Sequence, residues 1–126
     1  WTVVICFYRE EVEYLKQLFN CSAVSGNYQY HDGLKDEPIL ICQMQSATGY
    51  ELPRHTRMVY FSYSYGYGAF TQSRGRIDRG DAPVVDYYYL ETFYFESSDK
   101  TMDYNIRKSL EQGKDYDPST WKKPSL

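Results

Sequence analysis

The sequence predicts an α/β fold: a three-layer domain with a mainly parallel sheet and flanking helices. Short apolar runs at 2–8, 39–43 and 58–61 are nearly continuous, which is typical of strands covered on both faces. Amphipathic or polar segments separate these runs, so that strands alternate with helices as in the crossover units of a parallel sheet. No internal repeat interrupts this alternation.

The first helix is predicted at 10–19, directly after the first strand. Val12, Leu15 and Phe19 recur at helical spacing and form an apolar stripe, and Asn20 is expected to end the helix. A short strand is predicted at 22–25. The following polar segment, 26–38, contains glycine and proline and has too few residues for a long helix.

The second half of the chain continues the alternation. A glycine- and tyrosine-rich loop at 63–68 precedes a helix predicted at 69–79, and a strand follows at 84–90. Ser98 or Asp99 is expected to cap a last helix. Its apolar residues and the glycine just past its end are Met102, Ile106, Leu110 and Gly113.

Length and composition limit the possible functions. The 126 residues predict one domain at 1–113 and a polar tail or linker at 114–126. The net charge of −3 argues against a strongly basic nucleic-acid clamp. Three cysteines without a close pair indicate free thiols in a reducing compartment, and no run is long enough to cross a membrane. We therefore expect a cytoplasmic monomer, and the opening Trp1 suggests a piece of a longer protein.

One segment carries a pattern suited to binding phosphate. Gln72, Arg76 and Arg79 are spaced i, i+4 and i+7, so that a helix would project all three from one face. Guanidinium groups offer forked donors to phosphate oxygens. The alternative is a solvated, salt-bridged helix face. Arg74 lies about 200° around the helix from Gln72 and is expected to take no part.

The pattern Gln-x-x-Gly-Arg-x-x-Arg at 72–79 resembles motif VI of superfamily 2 helicases, in the form found in Swi/Snf-type and phage members. The segment 46–52 resembles motif V, and the strand at 3–8 with its helix resembles motif IV. The motifs occur in the family's order, and the resemblance extends from about Val3 to Leu110.

The resemblance implies a RecA-like helicase C-terminal lobe with defined roles for several residues. Arg76 and Arg79 would stabilise charge on the transferring phosphoryl group, with Gln72 helping to position them. The nucleotide's edge would meet Gly49, Glu51 and Gly75, although many relatives carry aspartate where this chain has Glu51. The expected nucleic-acid contacts are Tyr8, Arg9, Ser25, Gly26, Gln45 and Ser46.

The sequence lacks a Gly-x-x-x-x-Gly-Lys-Ser/Thr loop, so ATP and Mg²⁺ would be held mainly by an N-terminal RecA-like lobe of the same polypeptide. The expected nucleic acid is DNA, with RNA as the alternative. The expected compartment is the cytoplasm, which is the host cytoplasm if the protein is phage-encoded. This chain alone is expected to be inactive. His31 and His55 lie far apart without further ligands, so no metal site is expected.

Two alternatives stay open. The chain could be a non-catalytic module, derived from a helicase lobe, that binds nucleic acid or protein, or a stand-alone domain that binds nucleotide phosphate. Exposed tyrosines could stack on unpaired bases, or they could simply pack in strands with their hydroxyls in water. For 87–89 the packing interpretation is favoured, whereas for Tyr65 and Tyr67 the two interpretations are balanced.

Overall fold

A computed structural model of the chain describes residues 1–46, 51–62, 66–74, 85–91 and 101–120. These residues form a five-stranded sheet in the order β2-β3-β1-β4-β5, in which every neighbouring pair is parallel. The strands are β1 (Thr2–Cys6), β2 (Ser22–Val24), β3 (Ile39–Gln43), β4 (Arg57–Tyr60) and β5 (Asp86–Tyr89). The predicted α/β fold with a parallel sheet and flanking helices is confirmed.

The centre of the sheet is β1, which pairs with β3 on one side and with β4 on the other. Its residues from Val3 to Cys6 are all buried, although they point alternately to opposite faces. Burial on both faces explains why this strand is a continuous apolar run and not an alternating one.

Each face of the sheet has its own core. On one face, Val3 and Ile5 of β1 pack with Phe70, Ile106 and Leu110 from two helices, α2 (Tyr67–Arg74) and α3 (Met102–Glu111). On the other face, the core is smaller and is covered by α1 (Arg9–Phe19). Its buried residues are Val4, Cys6, Val12, Leu15, Ala23 and Ile41.

The structure corrects the apolar stripe predicted for α1. Val12 and Leu15 are buried, but Phe19 is 48% exposed and Leu18 is 59% exposed. Both side chains line an open apolar groove of about 540 Å³ that runs between α1 and the strands β1 and β4. The stripe therefore continues past the part of the sheet that α1 covers. Asn20, with φ 49° in the left-handed region, ends the helix as predicted.

The other two helices differ from their predicted bounds. Helix α2 begins two residues earlier than predicted, and the predicted part beyond Arg74 lies outside the described residues. Helix α3 is capped by Thr101, whose side chain accepts a hydrogen bond from the Tyr104 amide at 3.3 Å. The predicted caps Ser98 and Asp99 also lie outside the described residues. Gly113 follows α3 with φ 77°, as its predicted place past the helix end requires.

The segment predicted to be a tail makes specific contacts at its start. Tyr116 is 7% exposed and belongs to the core under α2 and α3. Asp115 Oδ1 accepts a hydrogen bond of 2.8 Å from the Tyr67 amide, and so satisfies a donor in the first turn of α2. Residues 117–120 are exposed, and 121–126 lie outside the described residues. The boundary at 113/114 stays a prediction.

The polar segment before β3 contains a 3-10 helix, Asp32–Asp36, in place of a longer helix, in agreement with its length. Within the described ranges, no helix combines the length and the apolar character needed to cross a bilayer.

Candidate functional site

Several predicted site residues meet at the carboxyl edge of the sheet, where the strands end. In the parallel register Cys6 lies beside Gln43, and Val24 lies beside Cys42. The segments that follow β1, β2 and β3 therefore leave the sheet at neighbouring positions. Ligands of open α/β sheets bind outside this edge. The predicted residues brought together there are Tyr8, Arg9, Ser25, Gly26, Gln45 and Ser46.

A hydrogen-bond network joins the ends of the central strands. Ser62 Oγ accepts from the Phe7 amide at 2.7 Å and donates to Glu11 Oε1 at 2.5 Å. The same carboxylate oxygen accepts from the Tyr8 amide at 3.2 Å, and Gln43 Nε2 donates to the Phe7 carbonyl at 3.2 Å. The network fixes the backbone where β1 turns into α1. Sequence analysis missed it because Ser62 and Glu11 are 51 residues apart.

Tyr8 and Arg9 extend from this fixed turn toward solvent. Tyr8 is 52% exposed, its ring lies 4.9 Å from the ring of Phe7, and Arg9 is exposed. An exposed aromatic ring beside a cation suits stacking on a base with contact to a phosphate. Glu10 and Glu11 in the same helical turn offset the positive charge, so any attraction to nucleic acid here is modest.

The turn after β2 offers mainly its backbone. Ser25 is 5% exposed, and its hydroxyl accepts a hydrogen bond from the Asn27 amide at 3.1 Å. The backbones of Ser25 and Tyr28 exchange two further hydrogen bonds. Gly26 is exposed, and a Cβ added there would meet nothing within 4 Å. The hydroxyl of Ser25 is thus engaged within the turn, and Gly26 is the open position.

The segment after β3 contacts the helix that carries Gln72. A 3-10 turn, Met44–Ser46, follows β3, and buried Met44 anchors it. This turn packs against α2. Gln45 is exposed and Ser46 is half-buried. The turn before the segment that resembles motif V therefore packs against the helix that leads into the segment that resembles motif VI.

The structure describes only some of the residues that are predicted to contact the nucleotide. Glu51 is exposed, while Gly49 lies outside the described residues. Gln72 is exposed on α2. Gly75, Arg76 and Arg79 also lie outside the described residues, so their predicted common helix face remains a prediction.

Arg74, the arginine expected to take no part in phosphate binding, packs against aromatic side chains. Its guanidinium lies over the rings of Phe70, Tyr87 and Tyr89, and its Nε is buried. Tyr87 and Tyr89 are half-buried against the core, as the packing interpretation expected, whereas Tyr88 on the other face is 47% exposed. The helical spacing of Phe70 and Arg74 could have suggested that these two side chains meet.

Two buried titratable groups have shifted pKa values that bear on the chemistry of the site. Burial raises the pKa of the Cys6 thiol to about 12, so this residue is a protonated core thiol and not a nucleophile. Burial lowers the pKa of His55, which lies at the opposite, amino edge. Among the described residues, no cluster of three or more His, Cys, Asp or Glu side chains could hold a metal ion.

These features define a RecA-like α/β fold: five parallel strands flanked by helices, with several of the predicted site segments at the carboxyl edge. A solved structure with this architecture is the C-terminal part of the Fun30 ATPase domain, which matches with a TM-score of 0.68 and 17% sequence identity. The match covers 85% of this chain and 38% of that chain. At this identity the similarity shows the fold. No family model matches the sequence, and the search of curated proteins found no match.

Proposed function

We propose that this chain is the second lobe of an ATP-dependent nucleic-acid helicase or translocase. In this proposal the lobe supplies Arg76 and Arg79 to ATP hydrolysis, and its carboxyl edge forms part of the track for nucleic acid. A first RecA-like lobe would hold ATP and Mg²⁺. We call this chain joined to that first lobe the two-lobe protein.

The observation that carries the proposal is the contact between the Met44–Ser46 turn and α2. The turn leads into the segment that resembles motif V, and α2 leads into the segment that resembles motif VI. A nucleotide phosphate held by two segments needs them side by side at the carboxyl edge of a parallel sheet. The structural similarity to part of an ATPase domain supports the same proposal.

The proposed chemistry of the lobe is electrostatic. Phosphoryl transfer develops charge on the transferring group, and a guanidinium placed beside it stabilises that charge without proton transfer. Two arginines without a P-loop cannot hold the nucleotide by themselves, which is why the first lobe is part of the proposal. Gln72, exposed on α2, would hydrogen bond a phosphate oxygen or one of the arginines.

The track would contact nucleic-acid phosphates through Arg9 and the backbone at Gly26, and would stack a base on Tyr8. Such contacts position a strand and do not read its sequence. The net charge of −3 predicts weak, salt-sensitive binding by this lobe alone.

The test is ATP hydrolysis by the two-lobe protein carrying Arg79→Ala or Arg76→Ala. We expect nucleic-acid-stimulated hydrolysis to fall by about 10³- to 10⁵-fold while ATP binding through the first lobe is retained. Arg79→Lys should not restore the rate, because an ammonium lacks the forked geometry. The matched control is Arg54→Ala, an exposed arginine at the amino edge, which should keep the wild-type rate. Wild-type rates in both arginine variants would favour the non-catalytic binding module.

A further inference from the structure

One face of the sheet is covered over only part of its width. A single row of side chains crosses this face in the parallel register: Ala23, Ile41, Val4, Val59 and Tyr88. The first three are buried beneath α1, whereas Val59 is half-buried and Tyr88 is 47% exposed. The cover that α1 provides therefore ends between β1 and β4.

The opposite face of the same strands is fully packed. Met58 and Tyr60 flank Val59 along β4 and point to the other face, where the core under α2 and α3 buries both completely. Within the described ranges, two helices cover that face and one helix covers the face of Val59. Because parallel sheets are normally covered on both faces, the open strip over β4 and β5 has the position of a further helix.

The open strip is the floor of the apolar groove, and α1 is its wall. Tyr14 and Leu18 lie one turn apart on α1 and are 61% and 59% exposed. Leu90, on the side of the groove away from α1, is 48% exposed, and Val59 and Phe61 line the floor. A cluster of large exposed apolar side chains marks a surface that binds a partner.

The groove carries one cation, at its amino end. Arg57 is the first residue of β4, and its guanidinium lies 5.7 Å from the ring centroid of Tyr88. No carboxylate within the described part of the chain forms an ion pair with Arg57. A partner that covers the groove also removes water from this guanidinium, which is unfavourable unless an anion replaces the water. The occupant should therefore bring a carboxylate to Arg57.

We propose that the groove binds an amphipathic α-helix of a partner protein, which places an apolar stripe against Leu18 and Val59 and a carboxylate against Arg57. Apolar anchors at i, i+3, i+4 and i+7 suit a groove between a helix and a sheet. About ten residues of helix, roughly 15 Å, match the length of β4 with its flanking residues. An anionic membrane fits less well, since the exposed Glu10 lies one turn before Tyr14 and the net charge is −3.

The groove lies on the face of the sheet, so helix binding does not depend on the proposed ATP site, and this chain alone is sufficient for the test. The probe is a labelled peptide of about 14 residues with a leucine stripe at i, i+3, i+4 and i+7 and a glutamate at each end of the stripe. A second peptide has lysines in place of the glutamates. Fluorescence anisotropy measures both affinities, and we expect the wild-type chain to bind the glutamate peptide about three- to tenfold more tightly.

The apolar wall is tested by Leu18→Glu, which should weaken binding of both peptides by at least about tenfold. Gln17→Glu is the matched control, because it adds the same charge to the neighbouring exposed residue of α1, which does not line the groove. It should keep the wild-type affinities. Since Leu18 and Arg57 are exposed, their variants should unfold in urea at the wild-type midpoint.

The cation is tested by Arg57→Glu, which should reverse the preference so that the lysine peptide binds more tightly. Arg54→Glu, at an exposed arginine outside the groove, should keep the wild-type preference. Absence of saturable binding, wild-type affinity in Leu18→Glu or an unchanged preference in Arg57→Glu would overturn the proposal.

Two other occupants have their own signatures. Dimerisation of the wild-type chain that Leu18→Glu abolishes, measured by sedimentation, would assign the groove to a second copy and overturn the proposal. Binding to vesicles of phosphatidylcholine and phosphatidylserine that Leu18→Glu abolishes would assign it to a membrane, with the same consequence. We expect neither.

Discussion

The two edges of the parallel sheet are built differently. At the amino edge, His55 is 1% exposed, its Nε2 lies 2.7 Å from the Glu37 carbonyl oxygen, and its ring packs edge-on against Trp1. The Arg54 guanidinium covers the Trp1 ring from outside. At the carboxyl edge, the exposed predicted site residues include Tyr8, Arg9, Gln45 and Gln72.

This difference separates residues that hold the fold from residues that could meet a ligand. At the amino edge, Arg54, Trp1 and His55 pack against one another, and His55 bonds a backbone carbonyl. At the carboxyl edge, the network of Glu11 and Ser62 fixes the backbone beneath while the outer side chains face solvent. We therefore expect substitutions at the amino edge to change stability and substitutions at the carboxyl edge to change binding or activity.

The largest effect on stability is expected from His55→Ala. It removes a buried ring and leaves the Glu37 carbonyl without its donor, so the free energy of unfolding should fall by about 2–4 kcal/mol. Gln72→Ala, at the carboxyl edge, should change it by no more than about 0.5 kcal/mol. Urea unfolding of this chain measures both. Equal losses in the two variants would contradict the comparison between edges.

A smaller effect is expected from pH, again through His55. The Glu37 carbonyl can only accept, so Nε2 carries the proton, and Nδ1 has no partner among the described residues. Burial lowers the pKa of His55 below its ordinary value of 6.5. The unfolded chain takes up a proton first, so stability is full above about pH 6.5 and declines below it, by up to about 1.4 kcal/mol per pH unit.

The check on His55 is the free energy of unfolding at pH 7.5 and pH 5.5. His55→Gln keeps a donor for the Glu37 carbonyl but cannot titrate, so it should lose less stability on acidification than the wild type. His31→Gln, at an exposed site, should lose as much as the wild type. If the His55 variant shows the full acid-dependent loss, this residue is not the source.

The smallest effect is expected from Arg9→Ala on binding of single-stranded nucleic acid. Loss of one phosphate contact should reduce the slope of log affinity against log salt by about 0.7. Arg54→Ala, an exposed arginine at the amino edge, should leave the slope unchanged. A labelled oligonucleotide titrated at several salt concentrations measures the slope. If Arg54→Ala alters the slope as much as Arg9→Ala does, the track is not confined to the carboxyl edge.

Much of the fold could be predicted from local chemistry. The central residues of β1 and β3 form continuous apolar runs because they are buried on both faces of the sheet. The ends of α1 and α3 follow from Asn20 and Gly113, which adopt left-handed backbone conformations. The exposure of Phe19 could not be predicted, because an apolar stripe shows which side of a helix is apolar but not how far the sheet beneath that helix extends.

For the candidate site, sequence analysis named the segments but not the contacts that their side chains make. The family resemblance named the segments with Tyr8, Gly26 and Gln45, and the structure places each of them just after a parallel strand. Helical angle placed Arg74 away from Gln72 but did not indicate which side chains it contacts. Its actual neighbours, Tyr87 and Tyr89, come from another element, and such non-local pairing leaves no periodic signal in one sequence.

The most direct test of the central claim is phosphate release from ATP by this chain alone, compared with the two-lobe protein. A lobe that contributes only part of an ATP site should not hydrolyse ATP by itself, with or without nucleic acid. The two-lobe protein, in contrast, should hydrolyse ATP. The Arg79→Ala form of the isolated chain serves as the control for contaminating ATPase. Sustained turnover by the wild-type chain that disappears in Arg79→Ala would contradict the account.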